Sequence, residues 1–275
     1  MIKRILTGVI AAGFVIFVLY EQNFWIAFAS VLLCCFIGSQ EFERLLLKKV
    51  TFQKQILIFL PLALTIYLMS ERILYGMAAF AGSFVFLCMY YVFRAHQGLK
   101  YQAVVTGLSV SAFGLIYLLC GLGFILPILK MGPMGRSFLL WLFLVVFIGD
   151  TVAYFVGSWM GKRKLTPNIS PKKTVEGAIG ALLSSFLVTW AWSYFILHET
   201  EFSDFTWKFF YFSPFASVLA QTGDLLESLM KRSQAKKDSG QLLPGHGGIL
   251  DRIDGLVLVS PIYYIFLSLV LVYES

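Results

Sequence analysis

Two acidic pairs, Asp224 with Glu227 and Asp251 with Asp254, stand three positions apart in hydrophobic surroundings late in the chain. That spacing puts each pair on one face of a helix, and Ser228 and Lys231 continue the first face. Between the pairs lie a basic stretch with Lys231, Arg232, Lys236 and Lys237, and a glycine-rich one, Pro244-Gly245-His246-Gly247-Gly248. Carboxylates facing one another repel unless a proton or a cation intervenes. Oxygen ligands, with no cysteine and only His246 nearby, favour Mg²⁺ over zinc. Mg²⁺ completes its shell with water and phosphate oxygens, the basic loop balances a polyphosphate, and the glycines let backbone N–H groups approach it. The chemistry expected of such a set is metal-assisted phosphoryl or nucleotidyl transfer.

The elements that must position these residues lie in a bilayer. Of the 275 residues 59% are hydrophobic and 13% charged, and mean hydropathy is +0.80, whereas a soluble domain carries about a quarter charged residues. Nine apolar runs read as spans of an all-α, multi-pass membrane protein: Ile5–Tyr20, Phe24–Ile37, Gln55–Met69, Ile73–Phe93, Ala103–Leu129, Phe138–Met160, Val175–Leu197, Trp207–Met230 and Leu250–Tyr273. The first resembles a signal peptide but lacks a small-residue cleavage site, so it reads as a retained span. With the N-terminus cytoplasmic, Arg72, Lys130, Arg136 and Lys208 fall outside and the other 18 of the 22 Lys and Arg inside. This asymmetry fits nine spans with the C-terminus outside. The net charge of +7 then reports cytoplasmic loops and anionic headgroups, not a nucleic-acid partner.

The first hundred residues form a region of four spans without a catalytic motif, and residues 101–275 a catalytic region of five. Glu41, Glu43, Arg44, Lys48 and Lys49 read as a solvated interfacial face. Cys34, Cys35, Cys88 and Cys120 lie in apolar runs without a CxxC pattern and read as structural thiols.

From the sixth run onward the chain acquires deep charge. Asp150 stands mid-run, where a carboxylate costs about 2.5–3.5 kcal/mol on an insertion scale, so it should face a partner or a watery cavity. Ser170 reads as an N-cap and Pro171 as the first residue of the seventh helix. Lys172 and Lys173 then fall in its first turn, where an anion would relieve both charges and the helix dipole. Gly157-xxx-Gly161-Lys162 departs from a nucleotide P-loop in spacing and lacks a following Ser or Thr, so it reads as a helix-packing face. All the deep charges belong to one leaflet and converge on a cytoplasm-facing cavity. An ion path would instead spread them through the membrane, which disfavours a cation or lipid transporter. A site at the bilayer surface suggests that one substrate is a lipid.

The segment Ser228-x-Met230-Lys231-Arg232-x4-Lys237-Asp238-x-Gly240-x2-Leu243-Pro244-x-His246-Gly247-Gly248-Ile249-x-Asp251-Arg252-Ile253-Asp254 resembles the signature of the CDP-diacylglycerol synthases (phosphatidate cytidylyltransferases). It does so without departure over 27 residues. Asp150 with Tyr154, and Ser170-Pro171-Lys172-Lys173-Thr174-x-Glu176-Gly177, resemble further segments of that family.

The resemblance implies that CTP and phosphatidic acid give CDP-diacylglycerol and pyrophosphate, the lipid phosphate attacking the α-phosphorus of CTP. It implies Asp224 and Asp251 as metal ligands with Asp254 close by, room for a second, monovalent cation, and a homodimer, which in a bacterium would lie in the cell inner membrane. Around these, Lys172, Lys173, Lys231, Arg232 and Lys237 would neutralise phosphates. Ser170, Thr174 and the backbone at Gly247 and Gly248 would bond their oxygens, and Arg252 would hold carboxylates or pyrophosphate. Glu227 and Ser228 complete the acidic face, and His246 braces the loop. The nearest enzyme alternative is a CTP-dependent lipid kinase, which would transfer the γ-phosphoryl group.

Overall fold

The apolar runs fold as helices in a computed structural model that describes residues 12–21, 23–47, 52–197, 200, 203–236, 239–240 and 247–272. In chain order these are α1 (12–20), α2 (Phe24–Leu46), α3 (Phe52–Glu71), α4 (Ile73–His96) and α5 (Tyr101–Leu118). A π-helical turn (Leu119–Gly123) then leads into α6 (Ile125–Leu129) and α7 (Gly135–Met160). The strands β1 (Lys164–Thr166) and β2 (Ser170–Thr174) precede α8 (Val175–Trp192), α9 (Thr206–Ser233), α10 (Leu250–Ile253) and α11 (Leu256–Val272). Among the described residues, five helical segments are long and apolar enough to cross a membrane: Phe24–Leu46, Ile73–His96, Tyr101–Leu129, Gly135–Met160 and Val175–Leu197. The 28 residues of α9 reach about 42 Å at 1.5 Å per residue. Large apolar side chains point outward along these helices, among them Leu74, Met89, Phe155, Leu187 and Phe195. This is the surface of a helical integral membrane protein.

Two apolar cores meet along α11. One joins α2, α3 and α5 through Phe42, Leu45, Leu62, Ile66, Tyr117 and Leu118, and takes in Leu250, Ile253 and Val257. The other stacks aromatic rings of α7, α8, α9 and α11, with Trp141 and Tyr263 4.9 Å apart and Phe212 and Phe266 4.3 Å apart. The π-helical turn brings Gly121 against Val257, where even a Cβ would stand 3.2 Å from that side chain. It thereby seats the start of α11. The four cysteines are unbridged.

The structure changes three sequence expectations. The second run does not stop at Ile37: α2 continues to Leu46, and its last turns are buried, not solvated. Glu41 is 5% exposed and Glu43, Phe42 and Leu45 are fully buried, while Arg44 faces out. At 100° per residue the apolar Phe42 and Leu45 draw their helical neighbours inward. Lys48 and Lys49 lie outside the described residues.

The ninth run is not one helix from Leu250: α10 ends at Ile253, a turn occupies Asp254 and Gly255, and α11 follows. Gly255 packs so tightly on Val146 that a Cβ there would stand 2.7 Å from it.

Ser170 and Pro171 do not open the seventh helix. Ser170–Thr174 is a strand paired antiparallel with β1, Thr166 opposite Ser170 and Lys164 opposite Thr174. Proline's fixed φ suits extended backbone on a hairpin edge as well as a first helical turn. The cap is Thr174, whose hydroxyl accepts the Gly177 N–H at 3.1 Å. Thr174→Ala should lower stability by about 1 kcal/mol while Thr174→Ser retains it, read as the thermal unfolding midpoint in detergent. Gly157 and Gly177 face each other where α7 and α8 cross, in accord with the packing role expected of Gly157.

Candidate active site

The last three turns of α9 place Asp224, Glu227, Ser228 and Lys231 along one stripe, as their spacing predicts. Lys231 and Arg232 fall in the final turn, where the negative end of the helix dipole favours them. Lys231 Nζ donates to Glu227 Oε2 at 2.5 Å and to Asp251 Oδ1 at 2.6 Å, so one ammonium ties α9 to α10. Glu227 is fully buried, and its other oxygen, Oε1, has no hydrogen-bond partner among the described residues.

Asp251 is held from several sides. Its Oδ2 accepts the Gly248 N–H at 2.8 Å, the Ser239 N–H at 3.1 Å and the Ser239 hydroxyl at 2.8 Å. The Gly248 N–H, Lys231 and Ser239 between them satisfy both oxygens of this carboxylate. Gly247 makes the turn at φ +77°, where a Cβ would run into Asp251 Oδ2. Gly247→Ala should therefore meet a left-handed backbone cost of about 1–2 kcal/mol. The strain should show as a lower thermal unfolding midpoint of the purified variant in detergent.

The third approach is the hairpin. A strand sends successive side chains to opposite faces, so Lys173 turns in and Lys172 out. Lys173 Nζ meets Asp224 Oδ2 at 2.5 Å, and the Ser228 hydroxyl stands 3.4 Å from Asp224 Oδ1. Arg232 Nε donates to the Ile169 carbonyl at 3.2 Å and ties the end of α9 to the hairpin turn. Ser170 is half-buried on β2, and the Thr174 hydroxyl caps α8. Glu176 accepts the N–H groups of Lys162 at 3.0 Å and Arg163 at 3.2 Å, which fixes the chain leaving α7.

Asp150 comes from α7 within electrostatic reach of Asp224, Lys173 and Arg252. Asp254 has its Oδ1 on the Gly255 N–H at 2.8 Å and lies within reach of Asp224, Glu227 and Asp150. Of the residues singled out in the sequence, Asp150, Asp224, Glu227, Ser228, Lys173, Lys231, Asp251 and Asp254 thus gather at one end of the helices. Lys172 and Arg252 are exposed at its rim, while Lys237 and His246 lie outside the described residues.

Five carboxylates share this end with the Lys173 and Lys231 ammonium groups and, beside Asp150, Arg252. The excess of buried carboxylate oxygen and the unpartnered Glu227 Oε1 suit a hard divalent cation. Among the described residues no three acidic, His or Cys side chains already stand in a metal-ligating arrangement. Lysine ammonium groups meet the Asp224 and Asp251 oxygens that a metal would use.

Several contributors escaped the sequence reading. Ser239 stood at an unassigned position of the motif. The buried Tyr117 hydroxyl has no hydrogen-bond partner among the described residues and lies within electrostatic reach of Glu227, Asp254, Asp224 and Asp251. Glu41 reaches the site from α2. No local pattern announces such contacts.

Fold and site together define a helical integral membrane protein with an acidic, lysine-bridged centre at one end of its helices. The chain belongs to the cytidylyltransferase family, whose model matches residues 2–270. A phosphatidate cytidylyltransferase of Staphylococcus aureus (strain COL) is 46% identical over 133 residues, 48% of this chain and 50% of the relative. One from Staphylococcus haemolyticus is 45% identical over 133 residues, with the same shares, and one from Staphylococcus epidermidis 45% over 134. The chain thus spans about half the length of the curated relatives it matches.

Proposed function

We propose that the protein is a phosphatidate cytidylyltransferase. A phosphate oxygen of phosphatidic acid forms a bond to the α-phosphorus of CTP, the bond from that phosphorus to the β-bridging oxygen breaks, and pyrophosphate leaves with the electron pair. The observation that carries this reading is the Lys231 bridge between Glu227 and Asp251 beside the Lys173–Asp224 pair. It gathers anionic and cationic groups from three elements where a triphosphate and a lipid phosphate must meet. No covalent nucleophile is needed, because the phosphate monoester attacks directly and the protein supplies position and charge.

Asp224 and Asp251 would hold Mg²⁺, with Asp254 close by and room for a second, monovalent cation. The metal would supply charge neutralisation on the triphosphate. In this reading Lys173 and Lys231 move from carboxylate to phosphate when substrates arrive, Lys172, Arg232 and Lys237 guide the anions, and Arg252 meets the departing pyrophosphate. An apolar groove of 340 Å³ between β1, α8 and α9, lined by Leu165, Ile179, Leu182, Val218 and Leu225, offers room for an acyl chain one turn from Asp224.

The site faces the cytoplasm in an arrangement of nine spans with the N-terminus inside and the C-terminus outside. Contacts between loops assigned to one side support it. Lys130 pairs with Glu71 at 2.7 Å on the outer side, and Lys236 Nζ donates to the Arg44 carbonyl at 2.9 Å on the inner. Residues 1–100 then form the supporting region and 101–275 the catalytic one, in a homodimer. The test is product analysis with purified protein, CTP and either phosphatidic acid or diacylglycerol, with and without Mg²⁺. CDP-diacylglycerol and pyrophosphate in the Mg²⁺ arm alone are expected. Release of CDP with a phosphorylated lipid would instead identify a CTP-dependent lipid kinase and overturn the assignment.

A further inference from the structure

Glu41, in the penultimate turn of α2, is buried within the first hundred residues, where the sequence carries no catalytic motif. Its Oε2 accepts the Leu250 N–H at 3.0 Å, across 209 positions of sequence. Leu250 is the first residue of α10, one position before Asp251. A Cβ built on either Gly240 or Gly248 would land on the Glu41 carboxyl group, so backbone on both sides of residues 241–246 packs directly against it. Gly248 is the same residue whose N–H donates to Asp251 Oδ2. One turn along α2, the Arg44 carbonyl accepts from Lys236 Nζ. The end of α2 therefore holds the chain at Lys236, Gly240, Gly248 and Leu250, on its approach to Asp251.

We propose that Glu41 is a positioning residue for the reaction: its carboxylate fixes the Gly248–Leu250 turn and so aims the Asp251 side chain. A buried carboxylate is costly unless hydrogen-bonded, and here its bond goes to a backbone N–H that neighbouring glycines leave just enough room to approach. Packing alone would be served by an apolar side chain like those of its neighbours Phe42 and Leu45. The inference rests on the reading of Asp251 as a site residue.

The test uses full-length protein in detergent or nanodiscs and compares Glu41→Gln with Glu41→Leu. The amide oxygen of Gln can still accept the Leu250 N–H, so Glu41→Gln should keep kcat within about threefold. Glu41→Leu should lower kcat by about 10- to 100-fold while the KM for CTP and the unfolding midpoint stay near those of the parent. Equal losses in both variants, or a parental kcat in Glu41→Leu, would overturn the proposal. If Glu41→Leu fails to fold, a second pair decides: Gly248→Ala should lose activity and Glu41→Ala/Gly248→Ala should regain part of it, and no regain overturns the idea. Should the unsubstituted protein not turn over CTP and phosphatidic acid, the functional reading fails by itself. Hydrogen exchange of residues 248–252 then tests the contact: faster exchange in Glu41→Leu than in Glu41→Gln supports it, and equal exchange refutes it.

Discussion

Asp251→Asn is expected to reduce CTP turnover by at least about 100-fold, a loss of the size seen when a group that stabilises developing charge is removed. The substitution keeps the shape of the side chain but not its acceptors. One carboxylate oxygen faces Lys231, and the other faces the Gly248 N–H and both donors of Ser239. An amide must turn its NH₂ toward one of these sets, donor against donor, so one side of the site opens whichever way it lies. On the proposed reading, the charge that would help to hold a divalent cation disappears as well. The protein should still insert and fold, because Leu250 and Ile253 keep α10 in the apolar core. The measurements are CTP consumption and the unfolding midpoint of the purified variant. Near-parental turnover would remove Asp251 from the chemistry.

Lys231→Met should be the more damaging to the fold. It strips the shared counter-ion from Glu227, which is fully buried, and from Asp251. Breaking a buried ion pair from one side typically costs about 3–5 kcal/mol because a charge is left uncompensated. The double variant Lys231→Met/Glu227→Gln should regain much of that stability, since the orphaned charge is gone, yet remain inactive for want of the cation. Thermal unfolding and CTP turnover measured on the same samples separate the two effects. A double variant no more stable than Lys231→Met would show that the pair does not carry the energy assigned to it.

The contrast between α9 and α2 shows what a linear reading can reach. Asp224, Glu227, Ser228 and Lys231 were legible because helical periodicity is local: residues three, four and seven apart share a face wherever the helix lies. Asp251 and Asp254 were legible for the same reason, although the turn at Gly255 was not, because it answers to contact with Val146 on another helix. Ser170-Pro171 carries the chemistry of a helix start and of a hairpin edge alike, and pairing with β1 decided between them. Glu41 lay beyond reach altogether. Its meaning depends on a backbone N–H more than two hundred positions away, and charged residues beyond an apolar run resemble an interfacial face until the partner is known.

The pairing of Glu227 with Lys231 lies within a single helix, and that has a consequence for biogenesis. We expect α9 to enter the bilayer already carrying its own counter-charge, which spares the nascent segment most of the expense of a lone carboxylate in hydrocarbon. Only afterwards would α10 dock and claim its share of the lysine. Assembly of the centre would then be the last event of maturation, and premature termination before residue 250 should yield a stably inserted but inert precursor.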